Sequence, residues 1–173
     1  MQMSRMPRNL TAIQALAEHA SPSARERVLN FGPGVLVGYR VRQTAPTGFT
    51  MEGPPPLPAD ALDTSLTDEM LVWRLLKLSA DAPVPGTVLI GRSSDNDVVL
   101  PHSQVSNFHA RLSFIDGHAF VMDSGSSNGT RVNDRTLLPG IRCMLKDADA
   151  IVFGSVGVRF YTTATFLDLI TPG

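Results

Sequence analysis

The stretch Ala110-Arg111-Leu112-Ser113-Phe114-Ile115-Asp116-Gly117-His118-Ala119-Phe120-Val121-Met122 decides the fold. On both sides of Asp116-Gly117 the side chains alternate between apolar and polar, the period of a strand with one face buried. An Asp-Gly pair between two such runs supplies the positive φ angles of a two-residue hairpin turn, so the stretch predicts two antiparallel strands. Similar runs extend outward from it over 72–78, 87–90, 97–100, 109–115, 118–123, 130–132, 136–138, 141–145, 150–154 and 158–162, with turn residues between them. No helical period intervenes. Short strands at this spacing favour an all-β, antiparallel β-sandwich over an α/β fold.

The pattern changes upstream. Leu10, Ile13, Leu16 and Ala17 recur at helical spacing behind Asn9, which predicts a short amphipathic helix over 10–20. Ser21-Pro22-Ser23-Ala24-Arg25-Glu26 has the hydroxyls, the proline and the Ser23/Glu26 spacing of a second helix start, and Gly32-Pro33-Gly34 ends that run after Asn30. Val35 to Val41 reads as a strand. Residues 44–67 hold Pro46, Pro54, Pro55, Pro56 and Pro58 among few large apolar groups, the composition of an extended linker. The expected organisation is a helical accessory region with a possible strand over 1–43, a proline-rich linker over 44–67, the sandwich over 68–165 and a tail over 166–173. In that tail, Phe166 to Ile170 is expected to form a closing helical turn that docks on the first region.

Composition bounds the function. With 173 residues, 43% hydrophobic and 18% charged, the chain can bury a substantial core. Its formal charge is −1 and it has no basic block, which argues against a nucleic-acid binder that works by neutralising phosphates. Residues 72–163 hold nine Lys and Arg against eight Asp and Glu, so any anion site must come from local geometry. Cys143 is the only cysteine; no intrachain disulfide can form, and a small buried hydrophobe is expected there. Gln14, Glu18 and His19 interrupt the run a secretory signal would need, and no stretch is apolar and long enough to span a bilayer, so a cytoplasmic location is expected. Asp95-Asn96-Asp97 lacks the later glutamate of a calcium loop, and His102, His109 and His118 lack zinc spacing. No metal and no cofactor are assigned.

Three polar clusters lie between the strands: Gly91-Arg92, Ser106-Asn107-Phe108-His109, and Asp123-Ser124-Gly125-Ser126-Ser127-Asn128-Gly129-Thr130-Arg131-Val132-Asn133. Each adjoins a strand-like run and so falls on a loop, where a rigid scaffold presents binding groups. Their common property is donation. Arg92 offers a planar guanidinium fork, Ser106 and Ser127 offer hydroxyls, Asn107 and Asn128 offer amides, and Gly129 permits close backbone approach or positive φ. Such a set suits an oxyanion.

These clusters, in this order, resemble the forkhead-associated (FHA) domain family, and the resemblance runs from about residue 71 to 163. It implies a β-sandwich that binds phosphothreonine peptides on partner proteins downstream of a Ser/Thr kinase, without catalysis. By similarity, Arg92 and Ser106 contact the phosphate, Asn107 and Ser127 lie near it, and Asn128 holds the peptide backbone. The resemblance also makes Gly91, His109 and Gly129 structural supports of the loops. His102, Gln104 and Val105 precede the Ser106 motif where family members read the residue three positions beyond the phosphothreonine; some carry arginine where Gln104 stands, and Gln104 weakens the expectation of an acidic residue there. Family members prefer phosphothreonine because its γ-methyl fills a small pocket.

Other readings stay open. A Ser/His/Asp triad finds no nucleophile elbow around Ser106. A scaffold could keep the fold and bind partners independently of phosphate, through another sandwich face or the N-terminal region. Thr64 and Thr67, on the proline-rich segment, could when phosphorylated occupy the chain's own site at high effective concentration.

Overall fold

The hairpin forms as its sequence dictates. In the computed structural model, which describes residues 9–11, 32–40, 54–56, 58, 70–75 and 86–170, β6 (Ala110–Ile115) and β7 (His118–Asp123) pair antiparallel. Asp116 and Gly117 connect them at φ 50° and 78°. This places Leu112 and Val121 opposite each other on the core side, both fully buried.

Around this hairpin a five-stranded sheet forms in the order β10-β7-β6-β4-β5, with β4 at Thr87–Gly91, β5 at Val98–Val99 and β10 at Arg142–Leu145. The β4–β5 pair is parallel, an exception to the antiparallel expectation that arises because residues 92–97 carry the chain back before β5 begins. A seven-stranded sheet packs against the first. Its strands are β1 (Asn9–Thr11), β2 (Gly34–Tyr39), β3 (Met70–Arg74), β8 (Thr130–Val132), β9 (Arg135–Thr136), β11 (Ala150–Phe153) and β12 (Val156–Thr162), in the order β1-β3-β2-β12-β11-β8-β9. The fold is an all-β sandwich.

Between the sheets lies one apolar core that includes Leu36, Trp73, Ile90, Leu112, Ile151, Phe153 and Phe160. A second, smaller core covers the outer face of the seven-stranded sheet. There α1 (Thr163–Ile170) lays Phe166 and Ile170 against Val35, Val37, Met70, Val72 and Tyr161. Burying a phenylalanine side chain contributes about 1.5–3 kcal/mol, enough to hold a two-turn helix that could not form alone. The Thr163 hydroxyl and N–H both reach back, to Gly32 O at 2.6 Å and Pro33 O at 3.3 Å.

The region before the sandwich differs from its sequence reading at Asn9–Thr11. Asn9–Thr11 is a strand paired with β3, Leu10 opposite Val72, where helical spacing predicted a helix over 10–20. The free edge of β3 offers backbone partners that a local pattern cannot register. The remainder of that helix, the helix expected over 21–30, and Thr64 and Thr67 lie outside the described residues. The strand expected within 1–43 is β2, and it sits between β3 and β12 with its side chains buried on both faces. From the proline-rich stretch, Pro54 accepts the Gly157 N–H at 2.7 Å, so this part of residues 44–67 runs beside β12.

Asn133 closes the β8–β9 turn together with Asp134, at φ 47° and 65°. Its amide donates to Asp149 at 2.7 Å and accepts the Ala150 N–H at 3.0 Å, pinning the hairpin to β11.

Candidate functional site

Three loops are joined at one end of the sandwich. The first follows β4: the Arg92 N–H donates to Ser106 O at 2.9 Å and the Ser93 N–H to Asn107 O at 3.2 Å, which laces it to the second. Gly91 permits that approach. A Cβ at Gly91 would lie 2.2 Å from Asn107 O, so any other residue forces the loops apart. Beneath them Asn96 is 2% exposed and donates to Ser93 O at 2.9 Å and to Asn107 O at 2.6 Å.

His109 joins the second loop to the third. Its ring is fully buried, edge-on to Phe153 with centroids 5.8 Å apart. The Ser106 N–H donates to Nδ1 at 3.0 Å, which assigns the ring proton to Nε2 and makes Nε2 the donor to Gly129 O at 3.1 Å. Burial pushes the imidazole below the ordinary histidine range, and the Gly129 bond and the nearby Asp123 charge oppose that only in part. The ring is therefore a neutral strut, and Gly129, at φ 76°, turns its carbonyl toward it.

The third loop hangs on Asp123. This carboxylate is 1% exposed and accepts from the Gly125 N–H at 2.8 Å, the Ser126 N–H at 2.9 Å, and the Ser126 and Thr130 hydroxyls at 2.6 Å each. Burial acts to raise its pKa; the bonds from Ser126, Thr130 and Gly125 outweigh burial and hold it below the usual carboxylate range. One buried charge thus shapes the whole turn from 124 to 130.

Over these struts lie the expected donors. Ser106 Oγ accepts the Ser127 N–H at 3.0 Å, which leaves its hydroxyl proton to donate elsewhere. Asn128 Nδ2 donates to Gln104 O at 2.9 Å, leaving its carbonyl oxygen and second N–H. Arg92, Asn107, Ser127 and Asn128 are exposed and Ser106 is half-buried, and the Arg92 guanidinium has no partner among the described residues. The loops that carry all five residues are bonded to one another.

Two of the three candidate specificity residues are placed otherwise than the sequence suggested. His102 and Val105 are 3% and 1% exposed. His102 Nδ1 accepts the Gln104 N–H at 3.2 Å, its carbonyl accepts the Val105 N–H at 3.0 Å, and Val105 packs into the main core. They shape the Gln104 loop from inside, because the loop needs an anchor more than a third exposed side chain. Gln104 itself is half-buried at the rim. Conversely, sequence reading missed the roles of Asn96 and Asp123. Asp123 had a signal: it takes the inward phase of β7 after Ala119 and Val121, where a carboxylate must be satisfied by the loop that follows. Asn96 had none to separate it from an ordinary turn residue. Cys143 is half-buried and packs against the core, and Trp73 is inside it.

Among the described residues no group of three or more His, Cys, Asp or Glu side chains could hold a metal ion. No described helix is long and apolar enough to cross a membrane.

Comparison with known proteins bears on this geometry. The family described as the FHA domain matches residues 88–154. An ABC transporter ATP-binding/permease protein of Mycobacterium tuberculosis is 35% identical over 94 residues, 54% of this chain and 10% of that protein. A chloroplastic zeaxanthin epoxidase of Arabidopsis thaliana is 35% identical over 98 residues, 51% of this chain and 14% of that protein. The chain therefore spans a small fraction of the curated relatives it matches. Among solved structures, the FHA-2 domain of the same M. tuberculosis transporter is 32% identical, aligned over 50% of this chain and 81% of that one with a TM-score of 0.39. With the family's match spanning the three laced loops, the five-stranded sheet and strands β8, β9 and β11 of the other sheet, residues 88–154 are an FHA domain.

Proposed function

We propose that this chain is a non-catalytic adaptor module that binds phosphothreonine-containing segments of partner proteins, downstream of a Ser/Thr kinase and in the cytoplasm. The observation that carries the reading is the exposed Arg92, whose guanidinium has no partner among the described residues, on a loop bonded to the carbonyl of Ser106, whose hydroxyl accepts the Ser127 N–H and keeps its own proton to donate. A phosphothreonine is dianionic near neutral pH and offers three strong acceptors. Arg92 meets two of them through its fork, Ser106 donates to a phosphate oxygen, and Asn107 and Ser127 flank the group. Each charge-assisted contact contributes about 1.5–3 kcal/mol. An unphosphorylated threonine leaves the fork without a partner, which is the basis of discrimination. Asn128, held by Gln104, presents its remaining amide groups to the peptide backbone.

The same bonds argue against hydrolysis. His109 takes the backbone N–H of Ser106, not its hydroxyl, and its other nitrogen is committed to Gly129. Ser106 thus has no general base among the described residues, and Asp123 is committed to the third loop.

The test is fluorescence anisotropy with a degenerate phosphothreonine peptide library, its unphosphorylated counterpart and the Arg92→Ala protein. Binding that needs both the phosphate and Arg92 is the expected result. Equal binding of phosphorylated and unphosphorylated peptides would overturn the reading in favour of a phosphate-independent scaffold.

A further inference from the structure

One edge of the five-stranded sheet has no part in the three loops. β10 is an outer strand of that sheet and, among the described residues, pairs with β7 alone. Leu145 is buried and Cys143 packs against the core, so strand alternation sends Arg142 and Met144 to the outer face. There Met144 lies opposite Phe120, and Arg142 opposite Met122. Leu138 and Ile141, from the connection between β9 and β10, are 73% and 60% exposed, and Met144 is 48% exposed. Together with Arg135 and Arg142 they line one groove. Several large apolar side chains left together at the surface mark an interaction site more often than a solvated face.

The charges are equally one-sided. Arg135 and Arg142 are exposed without a partner among the described residues, and no carboxylate lines the groove. Arg111, opposite Met122 on the next strand inward, adds a third exposed cation to that row. Arginine on an edge strand discourages pairing with neutral or basic edges. An acidic strand is the one kind that this arrangement favours.

We propose that this edge is a docking site for an acidic, apolar, extended segment of a partner protein, which adds as a strand beside β10. Its backbone meets the unpaired N–H and C=O groups of β10, alternate apolar side chains seat on Leu138, Ile141 and Met144, and its carboxylates meet Arg135 and Arg142. A second copy of this chain is the poorer occupant, because joining two such edges brings both copies' arginines together without a carboxylate. The groove shares no residue with the phosphate-binding loops, so the two sites can be tested apart.

The probe is an unphosphorylated nine-residue peptide alternating glutamate with leucine and valine, set against its lysine counterpart. The expected result is binding of the acidic peptide at least tenfold tighter than the lysine peptide, with slowed hydrogen exchange at the amides of Arg142 to Leu145. Met144→Glu and, separately, Arg142→Gln should each weaken it about tenfold or more while leaving phosphothreonine-peptide affinity unchanged, which also shows that the variants fold. Equal affinity for the two peptides, no binding, or protection confined to another edge would overturn the proposal. Concentration-dependent dimerisation lost in Met144→Glu would also overturn it, by giving the edge to a second copy.

Discussion

The loop end has two layers that obey opposite rules. Below, Asn96, His109 and Asp123 are buried, and the hydrogen bonds of the two ionisable groups fix their protonation states. Above, Arg92, Asn107, Ser127 and Asn128 are exposed and keep donors unspent. A buried polar group must be satisfied within the protein, whereas a binding group is useful in proportion to what it has left over. The lower layer should therefore govern stability and the upper layer affinity. An upper-layer substitution that also cost stability would break this division.

The largest expected effect belongs to the upper layer. Arg92→Ala should cost about 2–5 kcal/mol of phosphopeptide binding, the range for truncating one side of a hydrogen-bonded charge pair. Its Tm should stay within a degree or two of wild type, because no described residue is hydrogen-bonded to the exposed guanidinium. A drop of many degrees would show that Arg92 also serves as a strut. Asp123→Ala is the reverse case. It strands two N–H groups and two hydroxyls in or near the interior, so a loss of about 3 kcal/mol of stability is expected by chemical denaturation. Binding should weaken as a consequence of a collapsed third loop.

Gly91→Ala tests the seam between the layers. The added methyl meets Asn107 O, and the two loops must separate by several tenths of an ångström or more. Overpacking of this kind costs about 1–3 kcal/mol. Because Asn107 is displaced as well, affinity should fall by roughly tenfold along with stability. Unchanged affinity in a destabilised Gly91→Ala protein would mean that the spacing of the first two loops does not matter to the ligand.

How much of this was legible beforehand follows from what is local. The β6–β7 hairpin could be read because alternation and the Asp-Gly turn are properties of adjacent residues. The exposure of Arg92, Asn107, Ser127 and Asn128 could be read because polar clusters between strand-like runs fall on loops. Asn9–Thr11 could not, since its strand exists only through pairing with β3, which lies some sixty residues away in sequence. The placement of β2 between β3 and β12 is of the same kind. His102 and Val105 misled because a loop before a binding motif was assumed to face outward, and here it folds inward over its own histidine.

The smallest effect is the most discriminating for the lower layer. In the folded protein His109 resists protonation, since burial lowers its pKa and a proton on Nδ1 would face the Ser106 N–H that Nδ1 now accepts. In the unfolded chain it takes a proton near the ordinary value of about 6.5. The unfolded state therefore binds more protons once pH falls below that value, and stability declines from there down to the folded pKa. One histidine contributes at most about 1.4 kcal/mol per pH unit. His102, which burial also shifts downward, acts in the same sense. Denaturation without ligand between pH 7 and 5 avoids the phosphate's own titration and should show this slope. His109→Gln should be less stable at pH 7 yet lose less on acidification, and His102→Gln should flatten the remainder. A slope unchanged in both variants would mean that the loop end does not hold its histidines neutral, and the lower layer would lose its claim to be a rigid strut.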